Sequence, residues 1–205
     1  MKTTLWLMLL MLAIGCDAQT KSNIRMNKEL EVAILANGCF WCTEAIFQQL
    51  NGVETVEPGY IGGDKENPTY EEVCTGTTNH AEALRIRFNP EIISYEELLE
   101  VYFSTHNPTT LNRQGEDIGT QYRSEIFYTT AEQKELAEKF IGWMISQDVF
   151  EDPIVTKISQ ATTFWVAEDY HHNYFNTHPD KTYCALVINP KVEKFQHYFK
   201  DKLKK

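Results

Sequence analysis

The stretch Glu31-Val32-Ala33-Ile34-Leu35-Ala36-Asn37-Gly38-Cys39-Phe40-Trp41-Cys42 decides the fold. Glu31 to Ala36 is an apolar run of strand length, and Asn37-Gly38 breaks it. A helical pattern starts at Cys39, with Ile46, Phe47 and Leu50 on one face and Gly52 placed to end it. A strand thus hands over to a helix within a few residues. Outward from this junction, Val53 to Tyr60 reads as a strand and Gly62-Gly63-Asp64 as a turn. Glu82 to Phe88 alternates, with Glu82, Leu84, Ile86 and Phe88 on one face and Ala83, Arg85 and Arg87 on the other. Ser94 with Glu97 opens a helix through Phe103, and Thr130 with Gln133 a longer one through Ile145. A polar loop, Thr105 to Gly119, lies between them. Arg123–Tyr128 and Pro153–Ile158 read as strands, and Ala185–Ile188 as a last short strand before a basic tail. Strands and helices interleave without a regular βα repeat, which favours an α+β two-layer fold over a doubly wound sheet.

The chain has 205 residues, 42% apolar and 23% charged, which suits one globular domain and excludes a disordered or fibrous protein. Its formal charge of -10, from 19 basic and 29 acidic residues, argues against nucleic acid and anionic lipid surfaces as partners. Residues 1–15 form a secretory signal: Lys2 precedes the apolar run Leu5–Ile14, which as helix covers only about half of a ~30 Å bilayer core. Ala13-Ile14-Gly15-Cys16 resembles a bacterial lipobox, so Cys16 is the expected lipid attachment point and first mature residue; the alternative is an ordinary cleaved signal. Residues 16–29 suit a short tether, which leaves 30–205 as a single catalytic domain. The expected location is the cell envelope, periplasmic or anchored to a membrane only through lipid.

Five cysteines are too few for a disulfide framework and must be placed one by one. Cys39 sits where the strand gives way to the helix, whose unpaired N–H groups and partial positive charge are expected to lower its thiol pKa and create a nucleophile. Phe40 and Trp41 could wall an apolar pocket beside it. Cys39 and Cys42 could also be half of a structural zinc site, but no second pair completes the ligands. Two more readings stay open: the redox disulfide of a thioredoxin-like oxidoreductase, and two small buried hydrophobes. A thiol-based redox enzyme outside the cytosol leads.

Four further segments accompany Gly38-Cys39-Phe40-Trp41: Pro68-Thr69-Tyr70-Glu71-Glu72-Val73-Cys74-Thr75-Gly76, His80-Ala81-Glu82, Asp117-Ile118-Gly119-Thr120-Gln121-Tyr122-Arg123-Ser124 and Ala167-Glu168-Asp169-Tyr170-His171. In this order and spacing the chain resembles the A-type peptide methionine sulfoxide reductases from about Glu31 to Phe195. The resemblance implies a ferredoxin-like core with a mixed sheet, a long irregular C-terminal segment, and reduction of methionine-(S)-sulfoxide, free or in oxidised proteins. It implies no bound cofactor or metal, a thioredoxin-like dithiol as reductant, and a monomer.

Residue by residue, the resemblance makes Cys39 the nucleophile, Glu82 the acid, Tyr70 and Tyr122 the hydroxyls on the sulfoxide oxygen, and Asp117 a supporting residue. Phe40 and Trp41 match the aromatic pair around the substrate methyl group. The chemistry fits, because a sulfoxide sulfur is a poor electrophile until its oxygen is protonated. A glutamate among Leu84, Ile86 and Phe88 keeps its proton. Attack leaves a sulfenic acid, which calls for a second thiol. Cys184, in a Tyr183-Cys184 pair like that of the family's recycling cysteine, is the first expectation; Cys42, which replaces a family glycine, is the alternative. Cys74 reads as a small packing residue, and His171 and His172 as structural.

Overall fold

The computed structural model describes residues 29–205. The signal segment, Cys16 and the tether up to residue 28 lie outside the described residues. Strand β1 (Glu31–Asn37) runs into α1 (Phe40–Phe47), followed by β2 (Val53–Ile61), α2 (Tyr70–Cys74), β3 (Ala81–Phe88) and α3 (Tyr95–Thr105). A small ribbon of β4 (Arg113–Gln114) and β5 (Asp117–Ile118) precedes β6 (Ser124–Tyr128) and α4 (Ala131–Ser146). β7 (Lys157–Gln160), β8 (Trp165–Val166), α5 (Tyr174–Thr177) and α6 (Asn189–Tyr198) complete the chain.

The main sheet has the order β7-β6-β1-β3-β2-β8. β1 is antiparallel to β3 and β6, β2 is antiparallel to β3 and β8, and β7 runs parallel to β6. The four inner strands with α1 and α3 form the β-α-β-β-α-β ferredoxin-like core in a mixed sheet.

Both faces of β1 are covered, which is why its sequence is continuously apolar rather than alternating. Ala33 and Leu35 face the helices; Ile34 and Ala36 join Ala81, Ala83 and Phe127 in a smaller cluster on the other face. On β3, Leu84, Ile86 and Phe88 are fully buried in the helix-side core, each contributing about 1.5–3 kcal/mol. Glu82, two residues before Leu84, is carried to the same side, under the start of α1.

The Ser94–Glu97 capping box forms both of its bonds. At α4 only half forms: Thr130 accepts from the Gln133 N–H, while the Gln133 side chain turns to Thr129 and to the Val32 carbonyl.

Four expectations shift. α1 ends at Phe47, and Gly52 (φ +90) instead makes the turn into β2 after Leu50 has bridged to Leu203. The Thr105–Gly119 loop contains the β4–β5 ribbon. The strand expected from Pro153 forms only from Lys157, because Val155 donates its N–H to Pro108 rather than to the sheet. Ala185–Ile188 is not a strand. It lies in a π-helical turn, Cys184–Ile188, that continues into α6. Cys184, Ile188, Val192, Phe195 and Phe199 are all buried at steps of three or four, a helical stripe that extends past the short apolar run.

Candidate active site

The junction between β1 and α1 is built on Gly38, whose φ of +99 turns the chain out of β1. A Cβ there would meet Gln114 Cγ at 2.6 Å, so only glycine lets β4 pack this closely. Thr43 locks the turn by donating to Asn37 Oδ1 (2.7 Å) and to the Cys39 carbonyl (3.2 Å). Cys39 is the N-cap residue of α1 and is nearly buried. The next N–H of the helix, that of Phe40, donates to Glu82 Oε2 at 3.0 Å. The helix start therefore grips the carboxyl group of β3 and fixes it beside the sulfur.

A cavity of about 210 Å³ opens over this pair, lined by Cys39, Phe40, Trp41, Tyr70, Glu82, Asp117, Tyr122 and Tyr183. Tyr70 starts α2, where Thr69 and Glu72 form a capping box and the Tyr70 N–H donates to Glu168 Oε1 at 2.8 Å. Glu168 Oε2 accepts from Tyr60 at 2.8 Å, which ties α2 to β2. Tyr122 comes from the 3₁₀ turn Thr120–Tyr122, and Asp117 from β5. Trp41 stacks on Tyr174 with ring centres 3.8 Å apart and donates its Nε1–H to His171 Nδ1 at 3.0 Å. His171 is itself fully buried against Phe40 and Tyr70.

Burial, reinforced by Cys39 and Asp117, pushes the Glu82 carboxyl well above the usual carboxylate range, against a smaller opposing effect of the Phe40 N–H. Burial likewise raises Tyr70 and Tyr122, so both hydroxyls remain donors. The lowered pKa expected for Cys39 is not what the environment produces. Burial, together with the neighbouring Cys42 thiol, raises it. The N–H nearest the expected anion hole is spent on Glu82. Cys42 shifts the other way, lowered first by its hydrogen bond with Cys39 and then, against burial, by the Lys191 charge and Tyr183.

The four cysteines among the described residues are free thiols in different settings. Cys39 at the N-cap and Cys42 three residues on share the first turn of α1, where the Cys42 N–H donates to the Cys39 carbonyl at 3.1 Å. The Tyr183 hydroxyl donates to Asp117 Oδ2 at 2.8 Å and stands 3.9 Å from Cys42 Sγ. Cys184 is fully buried in the C-terminal core and makes no hydrogen bond to Cys39 or Cys42. Cys74 is exposed, against the packing role expected of it: in the five-residue α2 only Val73 is buried. No group of three or more His, Cys, Asp or Glu side chains among the described residues could hold a metal ion.

The family model described as "Peptide methionine sulfoxide reductase" matches residues 31–203. The chain belongs to the peptide methionine sulfoxide reductases. It is 56% identical over 174 residues to peptide methionine sulfoxide reductase MsrA of Deinococcus radiodurans, covering 85% of this chain and 84% of that protein. Identity to the Nitratiruptor MsrA is also 56%, over 173 residues, with 84% and 98% covered. Among solved structures, reduced Mxr1 from Saccharomyces cerevisiae superposes with a TM-score of 0.69 at 36% identity, over 76% of this chain and 90% of that one. This reductase is thus an enzyme of methionine sulfoxide reduction on an α+β fold with a mixed sheet.

The reductase pocket gathers Cys39, Phe40, Trp41, Tyr70, Glu82, Asp117 and Tyr122, all singled out in the sequence. It also contains Tyr183, which the sequence reading used only as a marker for Cys184. Glu168, which braces Tyr70, was missed as well, although it lies in the quoted Ala167–His171 segment; His171, read as structural, braces Trp41.

Proposed function

We propose that this reductase acts on methionine-(S)-sulfoxide, free or in oxidised proteins, with Cys39 as nucleophile and Glu82 as proton donor. The observation that carries the reading is the buried Glu82 carboxyl held at 3.0 Å by the Phe40 N–H, the residue next to the nucleophile. Phe40 and Trp41 receive the methyl group, and Tyr70 and Tyr122 donate to the sulfoxide oxygen, with Asp117 holding Tyr183 in place. Glu82 passes its proton to the sulfoxide oxygen and the Cys39 sulfur, giving up its own proton, bonds to the substrate sulfur. The hydroxyl then moves to Cys39 as methionine leaves, and the thiol proton restores Glu82. The substrate sulfur gains two electrons and Cys39 loses two, giving methionine and a sulfenic acid.

Cys42 then attacks Cys39, closing a disulfide and releasing water, and a thioredoxin-like dithiol reduces it; the reductant follows from the family resemblance. The placement of Cys42 in the same helical turn as Cys39 supports Cys42 over Cys184 as the resolver, the reverse of the order the sequence suggested. Cys39→Ser should abolish sulfoxide reduction; measurable turnover in that variant would overturn the mechanism. Cys42→Ser should release one methionine per enzyme and leave a sulfenic acid that dimedone traps. Fast disulfide formation in that variant, mapped by mass spectrometry to Cys184, would return the role to Cys184.

The domain works as a monomer of residues 30–205 behind the 16–29 tether, held in the cell envelope by lipid on Cys16 after removal of residues 1–15. The Ala13–Cys16 lipobox pattern supports this. Cys16→Ala should move the protein from the membrane to the soluble fraction of an expressing bacterium; unchanged fractionation would refute the anchor.

A further inference from the structure

Lys191 stands in the first turn of α6 with its Nζ 3.9 Å from Cys42 Sγ. It also lines a separate cavity of about 760 Å³ between α3 and α6, walled by Phe103, Phe150, Phe195 and Tyr198. Among the described residues the side-chain contact of the Lys191 ammonium is with Cys42 Sγ. Its charge is therefore directed at the sulfur. We propose that Lys191 is a positioning residue for the resolving step, holding Cys42 as the thiolate that attacks the Cys39 sulfenic acid. The inference rests on the reading of Cys42 as the resolving cysteine.

The remaining groups around Cys42 do not supply that charge. Cys39 and Tyr183 face it from α1 and the C-terminal turn as neutral hydrogen-bonding groups, and Asp117 opposes ionisation. Across the larger cavity, burial pushes His106 down to about 4, so its ring is neutral near pH 7. Glu100 and Lys194 line the same cavity with opposite charges. Lys191 is the cation whose ammonium meets the sulfur directly. In the step it assists, the Cys42 thiolate displaces oxygen from Cys39. The S–S bond forms as the S–O bond breaks, and the departing hydroxide takes up the proton that the Cys42 thiol released on ionising, leaving as water; Lys191 keeps its own.

The side chain can be altered without changing the lining of the sulfoxide pocket, of which Lys191 is not a part. Lys191→Met keeps an unbranched stem against the α6 packing and removes the charge; Lys191→Arg keeps the charge. With N-acetyl-methionine sulfoxide in single turnover, methionine release and disulfide closure are followed separately between pH 6 and 9. Losing the ammonium beside the sulfur returns Cys42 toward the thiol and lowers its thiolate fraction, and the higher nucleophilicity of the more basic thiol recovers part of this. Closure in Lys191→Met should therefore slow about threefold to tenfold at pH 7, with its pH profile displaced upward. Methionine release should stay near the parent rate, and Lys191→Arg should restore closure. An unchanged closure rate and pH profile in Lys191→Met would overturn the proposal. So would equal slowing in Lys191→Arg, which would indicate packing rather than charge. Cys42→Ser separates the two ideas: if it too closes normally, the resolver assignment has failed; if it does not close while Lys191→Met does, only the role of Lys191 has failed.

Discussion

Replacing Glu82 by Gln isolates proton donation from geometry. A glutamine keeps an oxygen for the Phe40 N–H, which now reaches Glu82 Oε2 at 3.0 Å, so the start of α1 and the Cys39 sulfur stay where they are. What it lacks is a transferable proton. General-acid catalysis contributes about 10²–10⁴ in rate, so the sulfoxide step should slow by about 2.7–5.4 kcal/mol of barrier. The pH dependence is the sharper readout. Burial raises the Glu82 carboxyl, so the native enzyme should lose its sulfoxide step as pH climbs through that elevated value, and Glu82→Gln should lose this alkaline limb. The stability linkage has the opposite benefit. A carboxyl with a raised folded pKa binds more protons in the native than in the unfolded state. Stability therefore falls from the ordinary carboxylate range up to the raised value, and the variant should resist denaturant better than the parent at alkaline pH. Methionine release with enzyme in excess, from pH 5.5 to 9.5, and urea unfolding at two pH values test both effects. A rate within about threefold of the parent, or an alkaline limb that persists in Glu82→Gln, would refute Glu82 as the acid.

Gly38→Ala should destabilise the fold by about 2 kcal/mol or more, combining the φ of +99 with a Cβ at 2.6 Å from Gln114; a loss below about 0.5 kcal/mol in denaturant titration would refute the steric account. His171→Phe removes the acceptor of the Trp41 Nε1–H and should lower kcat/KM about tenfold or more while the far-UV spectrum is retained, since an unpaired buried N–H costs about 1–3 kcal/mol. Substrate-free enzyme treated with iodoacetamide should be labelled first at Cys74, the one exposed thiol among the described residues, as peptide mapping would reveal; first labelling at Cys39 would contradict the raised pKa and burial assigned to it.

The inner strands were legible because β1 and β3 carry their burial in the sequence, one as a continuous run and one as an alternation that put Glu82 beside Leu84. The pocket was legible through motifs rather than through physics alone. Tyr70, Asp117 and Tyr122 come from three separate segments, and nothing local shows that they converge. The misread parts share a cause. Ala185–Ile188 is a short apolar run that fits either a strand or a helix, and only the wider stripe from Cys184 to Phe199 decides between them. Tyr183 is placed by the docking of that stripe, so its arrival beside Asp117 was equally hidden. The proposed role of Cys42 has a support that the sequence itself carries. With Cys39 at the N-cap, Cys42 occupies the third helical position, the spacing at which a capping box brings two side chains together.

Burial acts on Glu82 and Cys39 in the same direction, and the reaction explains why this is tolerable. Conversion of a thiol and a sulfoxide to a sulfenic acid and a sulfide neither takes up nor releases a proton. A site that retains the Glu82 proton and the Cys39 proton at rest therefore holds what the step uses, one to place on the sulfoxide oxygen and one to return to Glu82. A permanently ionised Cys39 would be the worse design, because its charge beside Glu82 would raise the cost of any carboxylate formed during turnover and expose the nucleophile to adventitious oxidation. Thiolate character is useful one step later, after Cys39 has become an electrophile, and it is Cys42 whose pKa the surroundings lower. On the proposed mechanism the two thiols, a single helical turn apart, act in sequence: Cys39 waits for substrate, and Cys42 acts before the sulfenic acid is oxidised further.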